Sequence, residues 1–337
     1  MYRLLFIISV IVLSQSAKAQ LFPTFGNSRT GASGMQFLKI PHDARSTAMS
    51  GAVVGMINDP SALFWNPAGI TGTDTATANF LLAHNRYFAD TKCNMLGVTS
   101  KVGKLGYLGL SVVNVNYGQI DETTEFMPAG TGRQVFISNS LVGLTYAKIL
   151  TEAFSFGLTA KWANEVIADV ITNNVLFDLG LFYNIGLMHS RFGVSFSNFG
   201  LNVSPQGEVT ILKFNGEQNI ANFSSISAPG LFRIGAAFDP IHKGNNVLTV
   251  TAQLNHPTDN NETFAIGSEY GYKNTLFARG GWEFGSDERN LFPSTGIGIR
   301  LPRRFGNLRF DYSYVVKERI GNVNRISVQA SLMSLKK

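Results

Sequence analysis

From about residue 74 to its end the chain alternates apolar and polar positions with a period of two. Phe154, Phe156, Leu158, Ala160 and Trp162 interleave with Ser155, Gly157, Thr159 and Lys161. Leu248, Val250, Ala252 and Leu254 interleave with Thr249, Thr251, Gln253 and Asn255, and the same rhythm returns in Leu308–Tyr314 and Ile326–Leu332. Successive strand side chains point to opposite faces, so each segment predicts a strand with one apolar and one polar face. About fourteen such segments begin near residues 75, 92, 104, 136, 153, 174, 190, 230, 246, 263, 274, 294, 306 and 322. Many are about ten residues long, the length with which a tilted strand crosses a bilayer.

The connectors separate into two kinds. Lys101–Lys104, Leu150–Glu152, Tyr272–Asn274 and Arg303–Asn307 are short, whereas Tyr117–Arg133, Asn164–Thr172, Asn198–Gly230 and Glu283–Pro293 are longer, and the two kinds alternate. Short turns on one rim and long loops on the other are how outer-membrane barrels are built, with the short side periplasmic. An even strand count brings both ends of the sheet to the short-turn rim. The pattern therefore predicts an all-β transmembrane fold: a roughly fourteen-stranded antiparallel outer-membrane β-barrel. A soluble sandwich also alternates, but it carries more surface charge and fewer outward aromatics. One departure from common barrel practice is the tail Ser334-Leu335-Lys336-Lys337, where an aromatic residue often closes the last strand.

Residues 20–72 lack this rhythm. Gly26 to Gly34 is rich in small residues and reads as extended. Asp43 is placed to cap a short helix through Ala44, Ala48 and Ala52, and Asp59-Pro60 reads as a second helix start ending near Asn66-Pro67. Such small, compact helices suit a plug inside the barrel. Before them, Arg3, the apolar run Leu4 to Leu13 and Ala17-Lys18-Ala19 have the form of a cleaved secretory signal. The predicted division is a signal peptide at 1–19, an N-terminal segment and plug at 20–72, and the barrel at 73–337, in the cell outer membrane.

Composition narrows the picture further. Only 15% of residues are charged, against about a quarter in a soluble domain, while Phe contributes 26 positions and Gly 34. Without Arg3 and Lys18 the net charge falls from +6 to +4, 26 basic against 22 acidic residues, and the charges are scattered. No nucleic-acid partner is expected from that distribution. The single cysteine, Cys93, has no partner for an internal disulfide and reads as a small apolar filler. His42, His84, His189, His242 and His256 are isolated in sequence, with no HExxH, no G-x-S-x-G and no phosphate-binding glycine loop, so neither an enzyme nor a cofactor is expected.

Phe37-Leu38-Lys39-Ile40, Asp43-Ala44-Arg45, Ala48-Met49-Ser50-Gly51-Ala52 and the run Asn58-Asp59-Pro60-Ser61-Ala62-Leu63-Phe64-Trp65-Asn66-Pro67-Ala68-Gly69 resemble the PorV/PorQ family. These are Bacteroidetes outer-membrane proteins related to FadL-type long-chain fatty-acid transporters. Leu254-Asn255-His256-Pro257, Asn260-Asn261-Glu262 and Gly267-Ser268-Glu269-Tyr270 are similar to a second pattern of that family. The resemblance implies a fourteen-stranded barrel with an N-terminal plug and a role beside the type IX secretion system. There such barrels partner the giant translocon, accept cargo through its C-terminal signal domain, or help attach cargo to the surface. The alternative it leaves open is a FadL-type channel for a hydrophobic small molecule.

Three sets of residues are candidates for function. Arg45, Asn58, Asp59, Asn66 and Pro67 belong to the plug, where they cap and terminate helices or gate a path; Arg45 is placed to pair with an acidic wall residue. Lys161, Arg233, Glu269, Arg279, Arg300, Arg309 and Asp311 lie on polar faces and are read as lining the barrel interior, either as ion pairs filling it or as a charged wall for a ligand. A charge facing lipid at mid-membrane costs roughly 2–4 kcal/mol. The loops Tyr117–Arg133 and Asn198–Gly230 are the partner-binding candidates, the second through Leu201, Val203, Ile211, Phe214 and Phe223. Beyond outer-membrane lipid, the partners expected are the type IX translocon barrel, secreted cargo, or a hydrophobic ligand.

Overall fold

The computed structural model describes residues 31, 33–73, 78–125, 127–213, 216–288, 290–304 and 306–332. The signal segment 1–19, most of the Gly26 to Gly34 stretch, Phe214 and the tail from Ser334 to Lys337 lie outside them.

The strands run in chain order: β1 (Ala78–Arg86), β2 (Lys92–Val102), β3 (Gly106–Asp121), β4 (Gln134–Ile149), β5 (Phe154–Ile167), β6 (Val170–Asn184) and β7 (Arg191–Gly200). Three short pieces follow in the loop after β7: β8 (Gln206–Gly207), β9 (Val209–Lys213) and β10 (Gly216–Ile220). The wall then resumes with β11 (Leu231–Lys243), β12 (Asn246–Pro257), β13 (Thr263–Tyr272), β14 (Leu276–Phe284), β15 (Ser294–Arg303), β16 (Gly306–Lys317) and β17 (Gly321–Leu332). Each wall strand pairs antiparallel with its chain neighbour, and β1 pairs with β17 from Ala78↔Leu332 to Arg86↔Asn324. β1–β7 and β11–β17 thus form a closed barrel of fourteen strands. Closure removes every open edge, the condition for exposing a sheet to lipid.

Side-chain alternation follows the expected pattern. Leu82, Leu144, Leu179, Ile297 and Ile326 are exposed on the outer face, while Thr99, Ser111, Thr145, Thr159, Ser313 and Ser327 are buried on the inner one. Among the described residues no helix is long and apolar enough to cross a membrane. The two rims differ in connector length: 103–105, 150–153, 185–190, 244–245, 273–275 and 304–305 on one side, with 122–133, 201–230 and 285–293 among those on the other. One long connector is not found. Residues 164–172, read as a loop, are strand except for a tight turn at Ala168 and Asp169, because β5 and β6 pair all the way up to Ile167↔Val170.

Residues 35–73 fill the lumen. A 3-10 turn at Gln36–Lys39 precedes helix α1 (Ala44–Ala48), helix α2 (Ala62–Trp65) and a second 3-10 segment at Pro67–Gly72. Asp43 caps α1 by accepting from Ser46 N at 2.8 Å, and its other oxygen accepts from Trp65 Nε1 at 2.8 Å, so one carboxylate ties the two helices together. The second helix begins later than Asp59-Pro60: Asp59 instead accepts from Ser61 N and Oγ in the turn before Ala62. α1 packs on β14–β17, and Pro67–Gly72 packs on β3–β6, so the plug reaches across the barrel. Its backbone lies against the wall itself. A Cβ built on Gly157, Gly180, Gly193, Gly235 or Gly281, each on an inner face, would come closer than 3.0 Å to plug atoms of Pro67, Asn66, Val54 or Met49. A girdle of wall glycines therefore makes room for the plug.

Candidate functional site

The plug meets the β13–β16 wall through a buried ionic cluster. Arg45, at the start of α1, presents Nε and Nη2 to the Glu269 carboxylate, both at 2.9 Å, and Nη1 to Asp59 at 2.7 Å and Asn58 Oδ1 at 3.2 Å. From the wall, Arg279 Nε reaches Glu269 at 2.6 Å and Nη1 lies 2.9 Å from Asp311. Arg309 joins Asp311 at 3.0 Å, Glu269 at 3.4 Å and Asp59 at 3.9 Å. Three arginines face three carboxylates, so the cluster is balanced. Its room comes from Gly298, where a Cβ would collide with Asp311 and Arg279, and its floor is Phe277, whose ring lies 4.8 Å from Arg309 and 5.4 Å from Arg279. Burial opposes ionisation of Asp59, but Arg45 and Arg309 outweigh it and hold the carboxyl at about 2.

Arg300 is on the same face but not in this cluster. It lies half-buried near the short-turn rim, donating to Asn274 Oδ1 at 3.1 Å and standing over Phe277 at 5.8 Å. Strand alternation gives a side chain's face and not its depth along the barrel. Arg233 is buried too, but it rests on aromatic faces, 5.0 Å from the Trp65 ring and 5.8 Å from Phe64, and donates to Ser197 Oγ at 3.1 Å.

A second cluster sits where the wall is irregular. β6 and β7 shift register between Phe177↔Phe199 and Leu179↔Phe196, so Ser197 and Asn198 oppose Asp178 alone. Asn198 takes the left-handed conformation (φ 61°), one that asparagine adopts more readily than most residues. The bulge is held by side chains. Asp178 Oδ1 accepts from Asn198 N at 2.8 Å, Lys161 pairs with Asp178 and donates to Asn198 Oδ1 at 3.0 Å, and Asn198 Nδ2 donates to Pro229 O at 3.3 Å. Parity in the sequence singles out Lys161 but neither Asp178 nor Asn198. Asp178 shares the buried face of β6, a signal the alternation carried, whereas a bulge leaves no mark in a period-two pattern.

Above the bulge the strand pairing lapses. β6 pairs with β7 only as far as Leu176↔Gly200 and then with β8 at Ile171↔Gln206, leaving 172–175 without a strand partner on that side. Outside this gap lies an apolar groove of about 580 Å³ lined by Trp162, Val175, Phe177, Phe199, Leu201 and Val203. Inside, Phe37, Leu38, Leu63 and Phe64 of the plug face Met95, Val113, Leu141 and Lys161 of the wall across a pocket of about 10 Å³. That is room for about one water. Lys161 and Asn198 border the inner pocket, and Leu176, between the groove residues Val175 and Phe177 on β6, is fully buried. On the long-loop side a more polar vestibule of about 290 Å³ lies over the plug, lined in part by Lys39, Trp65, Tyr87, Arg233 and Arg325.

Asn66 and Pro67 anchor the plug beneath the gap. Asn66 Nδ2 donates to Val54 O at 3.1 Å and to Leu181 O of β6 at 3.0 Å, and its Oδ1 accepts from Ala68 N at 3.2 Å. In the long loop, Leu201 is 82% exposed, Val203 bridges to Ile226, Phe223 is half-buried, and Ile211 belongs to the hairpin of β9 and β10.

No protein-family model matches the chain, and no curated protein matches it in sequence. Solved structures do. The toluene transporter TbuX of Ralstonia pickettii aligns over 86% of this chain and 98% of its own, with a TM-score of 0.60 and 14% identity. The CymD monoaromatic hydrocarbon channel aligns over 88% and 98% at 0.59 and 12%, and a Pseudomonas aeruginosa FadL homologue over 87% and 99% at 0.56 and 12%. At such identities the likeness is one of fold: the chain has the plugged outer-membrane barrel fold of FadL-type proteins.

Proposed function

We propose that the protein is an outer-membrane channel for a small hydrophobic molecule, which passes from the long-loop side into the pocket beside the plug and leaves through the wall gap between β6 and β7. The observation that supports this reading is an apolar inner pocket that reaches Asn198 at the β6–β7 bulge, with an apolar outer groove over the adjoining lapse in strand pairing. A ligand leaving there would enter lipid without crossing a polar rim. The solved structures of similar fold include a toluene transporter and a monoaromatic hydrocarbon channel, which supports a hydrophobic cargo. The pocket is closed around about one water, far below the roughly 300 Å³ of an ordinary ligand site, so passage needs the plug aromatics Phe37 and Phe64 to move. The test is uptake of radiolabelled toluene and of a long-chain fatty acid by cells or proteoliposomes carrying the protein. Uptake above the protein-free control, lost in the double variant Val113→Trp/Leu141→Trp with the barrel still folded, is the expected result. Uptake equal to the control for both probes sinks the reading.

A second reading, partnership with the type IX translocon or its cargo, is favoured by a different observation: the ionic cluster occupies the space between the plug and the β13–β16 wall, and the 201–230 loop presents Leu201 to solvent. Both fit a subunit that binds protein by its outer loops. Affinity purification from native outer membranes separates the two readings. Recovery of the giant translocon or of proteins bearing the C-terminal signal domain favours the second; a barrel recovered alone with an apolar small molecule leaves the first.

A further inference from the structure

On the short-turn rim, His189, Asp239 and His242 bring one ligand atom each to within 4.8 Å of one another. They come from separate parts of the chain. His189 closes the turn between β6 and β7, where Gly186, Met188 and His189 all take left-handed backbone conformations (φ 84°, 50° and 52°). Asp239 and His242 lie on β11 beyond Ala237↔Arg191, its last pair with β7, so this part of β11 faces the turn with no strand between. Three residues apart on a regular strand, they would point to opposite faces. A register shift between Phe238 and Ile241, with Pro240 inside it, brings them to the same side.

The three side chains are gathered within reach of one ion. The two imidazoles stack with centroids 4.4 Å apart and planes 18° from parallel. Asp239 Oδ1 is taken by Arg191 at 2.6 Å and Thr249 Oγ1 at 2.8 Å, which fixes the carboxylate. Its Oδ2 is turned toward His242 Nδ1 at 3.8 Å. Two imidazoles and a carboxylate oxygen held by partners behind it are the donor set of a divalent transition-metal site with an open fourth position. A tetrahedral ion with bonds of about 2.0–2.2 Å needs donors about 3.3–3.6 Å apart. Rotation of two exposed imidazoles closes that difference.

We propose that His189, Asp239 and His242 bind a divalent transition-metal ion, Zn²⁺ before softer or harder cations, on the periplasmic rim. The bound ion joins the β6–β7 turn to β11 and so clamps the lower end of β7, whose upper end carries the bulge at Asn198. Arg191 opposes the ion by its charge, while its hold on Asp239 Oδ1 orients the carboxylate and leaves Oδ2 for the ion.

The experiment is titration of the purified, chelator-treated full chain in detergent with ZnCl₂ by calorimetry, with CoCl₂ as a visible-absorption probe. Expected are one ion per chain and a cobalt spectrum of low coordination number. Affinity should fall more than about 10-fold in His189→Ala and in His242→Ala, beyond the lower limit for loss of an outer-shell partner. Affinity should also fall as the pH is lowered, because the ligands bind deprotonated. Each variant is checked for the compact, heat-sensitive gel mobility of a folded barrel. Wild-type affinity unchanged in the folded double variant His189→Ala/His242→Ala, or no saturable binding by the wild type, overturns the proposal.

Discussion

Replacing Arg45 by Met tests what holds the plug in place. Met preserves much of the length and apolar volume of the arginine stem but removes the cation between Glu269 and Asp59. Glu269 keeps Arg279 at 2.6 Å and Arg309 at 3.4 Å, whereas Asp59 keeps only Arg309 at 3.9 Å, and the cluster acquires one uncompensated negative charge. Breaking a buried pair by removing one partner costs about 3–5 kcal/mol. The cost falls on the plug, because the wall's strand pairing does not involve Arg45. Cys93, the chain's single cysteine, provides the assay: it is fully buried on the inner face of β2 in the hydrophobic cluster that includes plug residues Phe37 and Leu63. If labelling by a water-soluble maleimide requires the plug to lift, its rate scales with the lifted population. A cost of about 3–5 kcal/mol then corresponds to roughly 100- to 5,000-fold faster labelling. The double variant Arg45→Met/Glu269→Met leaves two arginines facing two carboxylates and should label more slowly than Arg45→Met alone. Less than about a tenfold increase in folded Arg45→Met protein refutes the argument that the cluster anchors the plug.

Three further outcomes follow from the same structure. His42 is held neutral, its pKa lowered to about 3 by burial first and then by the charges of Arg325 and Lys161. The unfolded plug therefore binds a proton the folded one does not, and stability present above about pH 6.5 is lost at roughly 1.4 kcal/mol per unit as the pH falls toward 3. Cys93 labelling, divided by that of a free thiol at the same pH to remove the fall in thiolate, should rise over that window, and His42→Gln should flatten the rise above pH 4. Gly193→Ala puts a methyl into the backbone of Val54 and should destabilise plug seating by about 1–3 kcal/mol, read as faster labelling with the barrel still folded. Leu144→Arg, on a 61% exposed position of β4, should cost about 2–4 kcal/mol in a bilayer folding titration. A neutral result there would mean this face of β4 does not meet lipid.

The wall was readable because its physics is local. Lipid outside and plug inside impose opposite polarities on alternate residues, and thirteen turns must interrupt the rhythm, so the strand count and most strand starts are written in the period-two pattern. The predicted starts at 92, 246, 263, 294 and 306 coincide with those of β2, β12, β13, β15 and β16. What the pattern did not carry is depth, partnership and irregularity. Alternation placed Arg300 and Arg309 on one face alike, though the first lies near the rim and the second in the cluster. It could not show that Glu269 would meet Arg45 across 224 residues. The bulge at Asn198 escaped because one inserted residue simply restarts the rhythm, and the bulge near Pro240 escaped for the same reason. Glycine carries what the alternation leaves out: several wall glycines mark where the plug backbone comes closest.

That girdle limits how the plug can move. A plug that slid along the barrel axis like a piston would carry its backbone off the glycines and onto the next inward side chains, two residues along each strand. Gly157 is followed by Thr159, Gly193 by Ser195 and Gly281 by Glu283, none of which leaves the same clearance. Gly-to-backbone contact on several strands at once therefore keys the plug to one height. On the channel reading proposed above, passage would go by the turning of its aromatic side chains or by the whole segment unthreading, and these two routes differ in size limit: the first admits only molecules a few side-chain rotamers can clear.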